Sequence, residues 1–368
     1  MTTLPYLDAD AVLRAISPRA AVEAIEVALR SGFDPSVDPE RVVVPTVHGQ
    51  MLLMPSEVGP AAGVKIATVA PANPDRGLPR IQGTYVLFAA ETLARLGMPL
   101  AGDLIVNTVS EEESTGAGGL AMARTINADA AIVPEPSGLD VWVACRGSLL
   151  PTITVEGRAG HAGLPPRPPE EGGAVNAIEK MAIVLLAIAE LRGEWQRSPA
   201  HPFLSPGDCV PTIVAGGEWI VSYPALCRLD CHIEYLPGQA DEHGWGSLVE
   251  QEFTEWILRA TAADPWLGAH PPRIDWLVGG VPPAEVPVDD PIVTTALGAA
   301  RAVGRASELG GLENWHDGAT LIVEAGIPSI CLGPGDINVA HTIDESVPIV
   351  DLVACAQAIA VTAMRFCR

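Results

Sequence analysis

Between residues 8 and 31 the apolar positions Ala11, Val12, Ala15, Ile16, Val22, Ile25 and Leu29 recur at helical spacing, with Asp8 as a possible N-cap and Gly32 as a stop. The pattern then shortens. Residues 41–47, 51–54, 63–69 and 81–88 read as strands, punctuated by Pro71-Ala72-Asn73-Pro74-Asp75-Arg76-Gly77. Their links are too short for crossover helices, so a mainly antiparallel α+β unit is predicted.

From Gly97 strand and helix patterns alternate: strand 103–109, helix 118–126, strands 129–134 and 141–145. A second unit follows near Leu149, with strand 150–156, helix 172–192, strands 209–214 and 225–235, helix 245–263 and strand 273–278. This β-α-β-β-α-β order is the ferredoxin-like plan. The Pro-rich tract Val281–Pro287 reads as a linker back. Helix 290–303, a helix at 318–325, strand 328–332 and helix 350–366 then complete the α/β layer begun at residue 97. The resulting domains are 1–96, then 97–148 with 281–368, and 149–280.

Composition narrows the classes. A chain of 368 residues, 48% hydrophobic, is large enough for two or three packed domains. The formal net charge of −23, with Lys65 and Lys180 the only lysines, argues against nucleic acid or an anionic membrane as partner. Met181–Ile188 is the longest apolar stretch and is too short to span a bilayer. The N-terminus Met1-Thr2-Thr3-Leu4-Pro5 has no signal-type pattern, which implies a cytoplasmic protein. The seven cysteines read as small core residues of a reducing compartment; Cys227 and Cys231 share a strand face, but no second pair completes a zinc site.

The candidate chemistry is acidic. Glu111-Glu112-Glu113 follows an apolar run and precedes Gly116-Ala117-Gly118-Gly119, Glu135 closes another apolar run, and His341 lies in a distant loop. Clustered carboxylates repel unless a cation sits among them, and carboxylate with imidazole is a catalytic zinc ligand set. Plainer readings are a helix start for the glutamates and a loop histidine for His341. Asp317 could cap a helix or orient a ligand. Gly116–Ala121 also fits GxGxxA, a dinucleotide signature that three preceding glutamates would oppose.

Residues 97–368 resemble the acetylornithine deacetylase and succinyl-diaminopimelate desuccinylase family of zinc amidohydrolases. The resemblance rests on Ser110–Gly119, Pro134-Glu135-Pro136-Ser137-Gly138, Gly157-Arg158-Ala159-Gly160-His161-Ala162-Gly163, Gly173–Ile178, Tyr235-Leu236-Pro237-Gly238 and Gly333 through His341 to Glu345. It implies a zinc-peptidase-like α/β catalytic layer with an inserted ferredoxin-like dimerisation lid, a homodimer, and one or two zinc ions. It further implies an N-acyl amino acid as substrate. Glu112 would then be the general base and Glu113 a ligand with His341, while Glu135 would hold the second ion. A one-residue slip would move the pair to Glu111 and Glu112. His161 would reach the oxyanion across a dimer, and Asn176 and His232 would lie near substrate; relatives often carry Arg at the last position. The family's His-x-Asp motif and bridging Asp have no counterpart, His48 being the only histidine before Glu111. Impaired hydrolysis is therefore expected, with an inactive binding protein as the alternative.

Residues 1–92 resemble the N-terminal part of the ornithine cyclodeaminase and mu-crystallin family, through Arg41-Val42-Val43, Met51–Pro55, Gly63-Val64-Lys65, Asn73–Pro79 and Glu91-Thr92-Leu93. That likeness implies carboxylate-binding roles for Arg41 and Lys65 and adds a third class, a nicotinamide-dependent amino-acid enzyme.

Overall fold

A computed structural model describes residues 42–46, 49–58 and 61–69 as backbone, together with residues 93, 97–98, 100–109, 112, 116–197, 201–276, 280–340, 342 and 345–367. The chain divides into two compact units, Met1–Arg80 and Ile81–Arg368. In the first, β1 (Val42–Thr46), β2 (Gly49–Val58) and β3 (Ala61–Val69) form an antiparallel meander in the order β1-β2-β3. The predicted helix 8–31 and strand 81–88 lie outside the described residues.

The second unit runs α1 (Ala117–Ala123), β4 (Ala131–Val133), β5 (Val141–Cys145), β6 (Gly147–Leu149), β7 (Pro151–Glu156), β8 (Gly160–His161) and α2 (Ala177–Trp195). It continues through β9 (Asp208–Gly216), β10 (Ser222–Tyr223), β11 (Leu226–Tyr235), α3 (Ser247–Thr261), α4 (Pro265–Ala269), β12 (Arg273–Trp276) and β13 (Ala284–Glu285). It ends with α5 (Pro291–Ala302), β14 (Leu309–Leu312), α6 (Asp317–Ala325), β15 (Ser329–Cys331) and α7 (Ile349–Phe366).

Two sheets organise it. In the first, β12, β7, β11 and β9 lie side by side, every pair antiparallel, and β6 extends the β7 edge of β11. Alternation along β11 explains its packing. Cys227, Leu229, Cys231, Ile233 and Tyr235 are buried, while Arg228, Asp230, His232 and Glu234 occupy the other face. The buried face meets Met181, Val184, Ile188 and Leu191 of α2 and Phe253 and Ile257 of α3 in one core. Helix α2 begins five residues later than its periodicity suggests. Gly172 is left-handed, and the Asn176 side chain accepts from the Ile178 amide as N-cap.

In the second sheet β14 runs parallel to β5, β13 pairs antiparallel with its end, and β15 joins β5 to a parallel β4. Val141, Val143, Ile330 and Leu332 pack against Ile292, Val293 and Ala296 of α5 and Ala358 and Ile359 of α7. Helix α7 is longer than the apolar stretch noted above: by length and hydropathy it could cross a bilayer, but Ala354, Cys355, Ala358 and Ala363 are buried in this core.

Two expectations are corrected and one strand is added. Residues 103–109 form no strand and Ile105 is 52% exposed: β4, the end strand of its sheet, is paired only with β15 and not with that run. The tract 281–287 is more than a linker, since Ala284 and Glu285 pair with Cys145 and Ala144. Strand β14 escapes the sequence pattern because it is built on Gly310 and Gly311. Side chains at those positions would strike Trp142 at 2.7 Å and Leu204 at 2.7 Å.

Candidate functional site

Glu135 follows β4 in a loop tied to a second loop far away in sequence. The Gly138 amide donates to the Gly335 carbonyl at 2.7 Å and the Leu139 amide to the Gly333 carbonyl at 2.9 Å. Ser137 Oγ accepts from the Gly333 amide and donates to the Asp140 carbonyl. Leu139, fully buried, holds a left-handed backbone at φ 71°, a strain these contacts sustain. Loop 333–340, which leads to His341, is thereby laced to the loop bearing Glu135. The approach is close: a Cβ on Gly333 would lie 2.1 Å from the Glu135 carbonyl oxygen. Gly333→Ala is therefore expected to cost about 2–4 kcal/mol, read by urea unfolding. A cost below about 0.5 kcal/mol would show that the two loops are not in contact.

Glu112, half-buried in a turn, is the described member of the acidic triplet. Burial pushes the Cys331 thiol well above its ordinary range, and Cys145, then Glu135 and Glu112, raise it further. Both carboxylates are thus near enough to the end of β15 to disfavour a thiolate at Cys331. Beyond Glu112 the chain enters α1 through Gly116, which is left-handed at φ 63°. The Trp315 ring fills the place of a Gly116 side chain, 2.6 Å from the ideal Cβ, and the Asp317 carboxylate does the same at Gly119, at 2.1 Å. Segment 315–317 is thus wedged against α1.

Helix α6 starts in that wedge. His316 is its N-cap: Nδ1 accepts from the Gly318 amide at 3.0 Å. This corrects the expectation of Asp317 as cap, since Asp317 is the first residue inside the helix. Asp317 is 5% exposed, its Oδ1 has no hydrogen-bond partner, and burial pushes its carboxyl up to about 6. Burial pushes the His316 imidazole down to about 4.

A model of peptidase family M20/M25/M40 matches residues 81–365. The chain belongs to this family. A model of the ornithine cyclodeaminase/mu-crystallin family matches residues 7–124, so the two matches overlap before α1 ends. Among M20-type relatives, an N-formyl-4-amino-5-aminomethyl-2-methylpyrimidine deformylase of Bacillus subtilis is 28% identical over 73% of this chain, and the match spans 65% of that protein, under two thirds. An acetylornithine deacetylase of Myxococcus xanthus is 30% identical over 76% of this chain and 68% of its own length. A Staphylococcus aureus tripeptidase shares the fold, with TM-score 0.59 and 16% identity over 95% of this chain and 92% of that one. Aminopeptidase PepT of Bacillus cereus gives 0.58 and 17%, covering 94% and 93%.

Within this M20 chain the remaining predicted site residues are placed as follows. His161 is exposed on β8, which pairs with β10, and its Nδ1 accepts from the Gly163 amide at 3.0 Å. Asn176 spends both side-chain atoms on helix α2, Oδ1 on the Ile178 amide and Nδ2 on Glu179. His232 Nε2 lies 2.8 Å from Ser148 Oγ and 3.1 Å from Glu234 Oε1, and Glu234 holds the imidazole above its ordinary range. Lys65 stands opposite Met54 in the β2–β3 ladder. Arg41, Glu111, Glu113 and His341 lie outside the described residues.

Zinc is typical of the M20 family, and the donor set tests whether it fits. Among the described residues no three His, Cys, Asp or Glu side chains are grouped so as to hold a metal. Of the expected ligands only Glu135 is among the described residues, beside the expected base Glu112. The dinucleotide reading of Gly116–Ala121 is opposed too: among the described residues no strand lies in 97–109, and the Asp317 carboxylate lies against Gly119, where a pyrophosphate would need to approach.

Proposed function

We propose that this chain is an amide-bond hydrolase acting on a small N-acylated molecule such as an N-acyl amino acid, with catalysis impaired by the absent first metal-binding motif. The observation that supports the reading is the lacing of the Glu135 loop to the 333–340 loop that leads to His341, with Glu112 and Glu135 both acting electrostatically on Cys331 nearby. In this reading Glu112 takes the proton of the attacking water and returns it to the leaving nitrogen. Glu113 and His341 share at most one loosely held zinc ion, with Glu135 alone left for a second. The relatives named above, a deformylase and a deacetylase, support removal of an acyl group from nitrogen. The net charge of −23 supports a small substrate over a polyanion, and seven unpaired thiols support a reducing, cytoplasmic setting.

The test joins metal analysis to turnover. Purified chain, dialysed and weighed for zinc, is expected to hold less than about one ion and to release acetate from N-acetyl amino acids slowly. Two tightly held ions per chain would sink the impaired-site reading. A second reading, a binding protein that kept the fold, is favoured by the missing His-x-Asp motif, His48 being the only histidine before Glu111. Calorimetric binding of an N-acetyl amino acid without acetate release would establish it.

The reading includes a homodimer formed through the lid. Strand β9 is a sheet edge, Ile213 and Val214 on it are 60% and 59% exposed, and Ile178 of α2 lies against Gly216 of the same strand. Edge pairing about a two-fold axis would cover these side chains. Light scattering is expected to give twice the 38.4 kDa chain mass, and Ile213→Lys with Val214→Lys to halve it. A monomer in the unaltered protein would count against the interface.

A further inference from the structure

We propose that Arg146 is a positioning residue that couples the lid to the segment backing α1. The backbone passes from one sheet to the other at this residue: Cys145 ends β5 and Gly147 begins β6. The return crossing runs beside it, through Val281, paired with Ser148, and Ala284, paired with Cys145. The two layers are thus joined by a two-stranded ribbon, and Arg146 is the cationic side chain planted in it.

Its guanidinium is 13% exposed and its donors are divided between the layers. On the lid side stands Glu234 of β11, 8% exposed, whose Oε2 lies 3.7 Å from Arg146 Nε. On the other side Nε donates to the Glu313 carbonyl at 2.6 Å and lies 3.3 Å from Glu313 Oε2, while Nη1 donates back to the lid, to the Pro206 carbonyl at 3.2 Å. Glu313 is itself held, since its carboxylate accepts from the Ser205 amide and hydroxyl at 3.0 and 2.9 Å. A planar fork can serve several acceptors at fixed angles, whereas an ammonium is a point charge. Two residues beyond Glu313 comes Trp315, wedged against Gly116, and then Asp317 against Gly119. A shift of β11 relative to β14 therefore pulls on Glu313 and, through Trp315, on the first turn of α1, next to the acidic triplet. Simple charge compensation of the buried Glu234 would not need the carbonyl contact on the Glu313 side.

The inference goes beyond the proposed activity, and its test needs no turnover. Hydrogen exchange is followed on the full chain. Arg146→Ala is expected to raise amide exchange in 117–123 and 313–319 by roughly tenfold, with the interior of α2 within about twofold of the parent. Arg146→Lys keeps the charge beside Glu234 but not the fork. It is expected to restore the unfolding midpoint while leaving 117–123 loosened. Should Arg146→Ala fail to fold, Glu313→Gln, which weakens only the far side, is expected to raise exchange in 117–123 by roughly threefold. Uniform loss of protection that includes α2, or unchanged exchange in 117–123, would overturn the proposal.

Discussion

Replacing Glu112 by glutamine is expected to lower amide hydrolysis by about 10²–10⁴-fold, the usual contribution of a positioned general base. That corresponds to about 3–5 kcal/mol of barrier. The substitution keeps the shape of the side chain and removes only its ability to take a proton. Because Glu112 is half-buried in a turn, the unfolding midpoint should move little. Fast single-turnover measurement with an N-acetyl amino acid separates loss of chemistry from loss of binding, since KM should be nearly unchanged. Equal turnover by the variant and the parent would remove Glu112 from the chemistry and transfer the question to Glu111 or Glu113.

The second large effect lies in the pH dependence of stability around α6. Asp317 has its carboxyl pushed up to about 6 from an ordinary 3.8, because a charged carboxylate there is cut off from water. Between those values the unfolded chain is ionised while the folded chain keeps its proton. Stability from this group is therefore full below 3.8 and is lost as pH rises to about 6. His316 works in the opposite sense. Its imidazole is pushed down to about 4 from 6.5, so the unfolded chain binds the extra proton and stability is lost as pH falls through that window. Each contribution is about 3 kcal/mol, and over pH 4–6 they oppose one another. Single substitutions should expose the two slopes. Asp317→Asn is expected to match the parent near pH 3.8 and to exceed it by about 3 kcal/mol above pH 6. His316→Asn, which keeps an acceptor for the Gly318 amide, should match the parent above pH 6.5 and exceed it towards pH 4. Urea unfolding across that range reads both, and differences that do not change with pH would refute them.

Some of this was legible before any coordinates. The alternation of Cys227, Leu229, Cys231, Ile233 and Tyr235 announces β11 and its buried face, because a strand's two faces are set by a period of two. The pattern of α2 is equally clear, and only its start was misplaced, where a capping asparagine outweighs periodicity. Strand β14 was hidden because a Gly-Gly pair carries no hydrophobic signal, and those glycines are required by Trp142 and Leu204, which are distant in sequence. Residues 103–109 show the reverse failure. Their composition is that of a strand, yet a strand exists only through a partner, and no described strand pairs with this run.

The sequence by itself determined the long helices and the lid strands, the M20 motif loops around Glu135 and Gly333, and the shortage of metal ligands before Glu111. These follow from residue type and near-neighbour spacing, which act within a few residues. Only the tertiary structure decided that the Glu135 loop is laced to the loop from Gly333 to Gly335. It likewise decided that His316 rather than Asp317 caps α6, that Asp317 is buried without a partner for Oδ1, and that Arg146 sits where two sheets meet. Burial, desolvation and ion pairing depend on which distant residues arrive at the same place, and no local pattern along a chain records that.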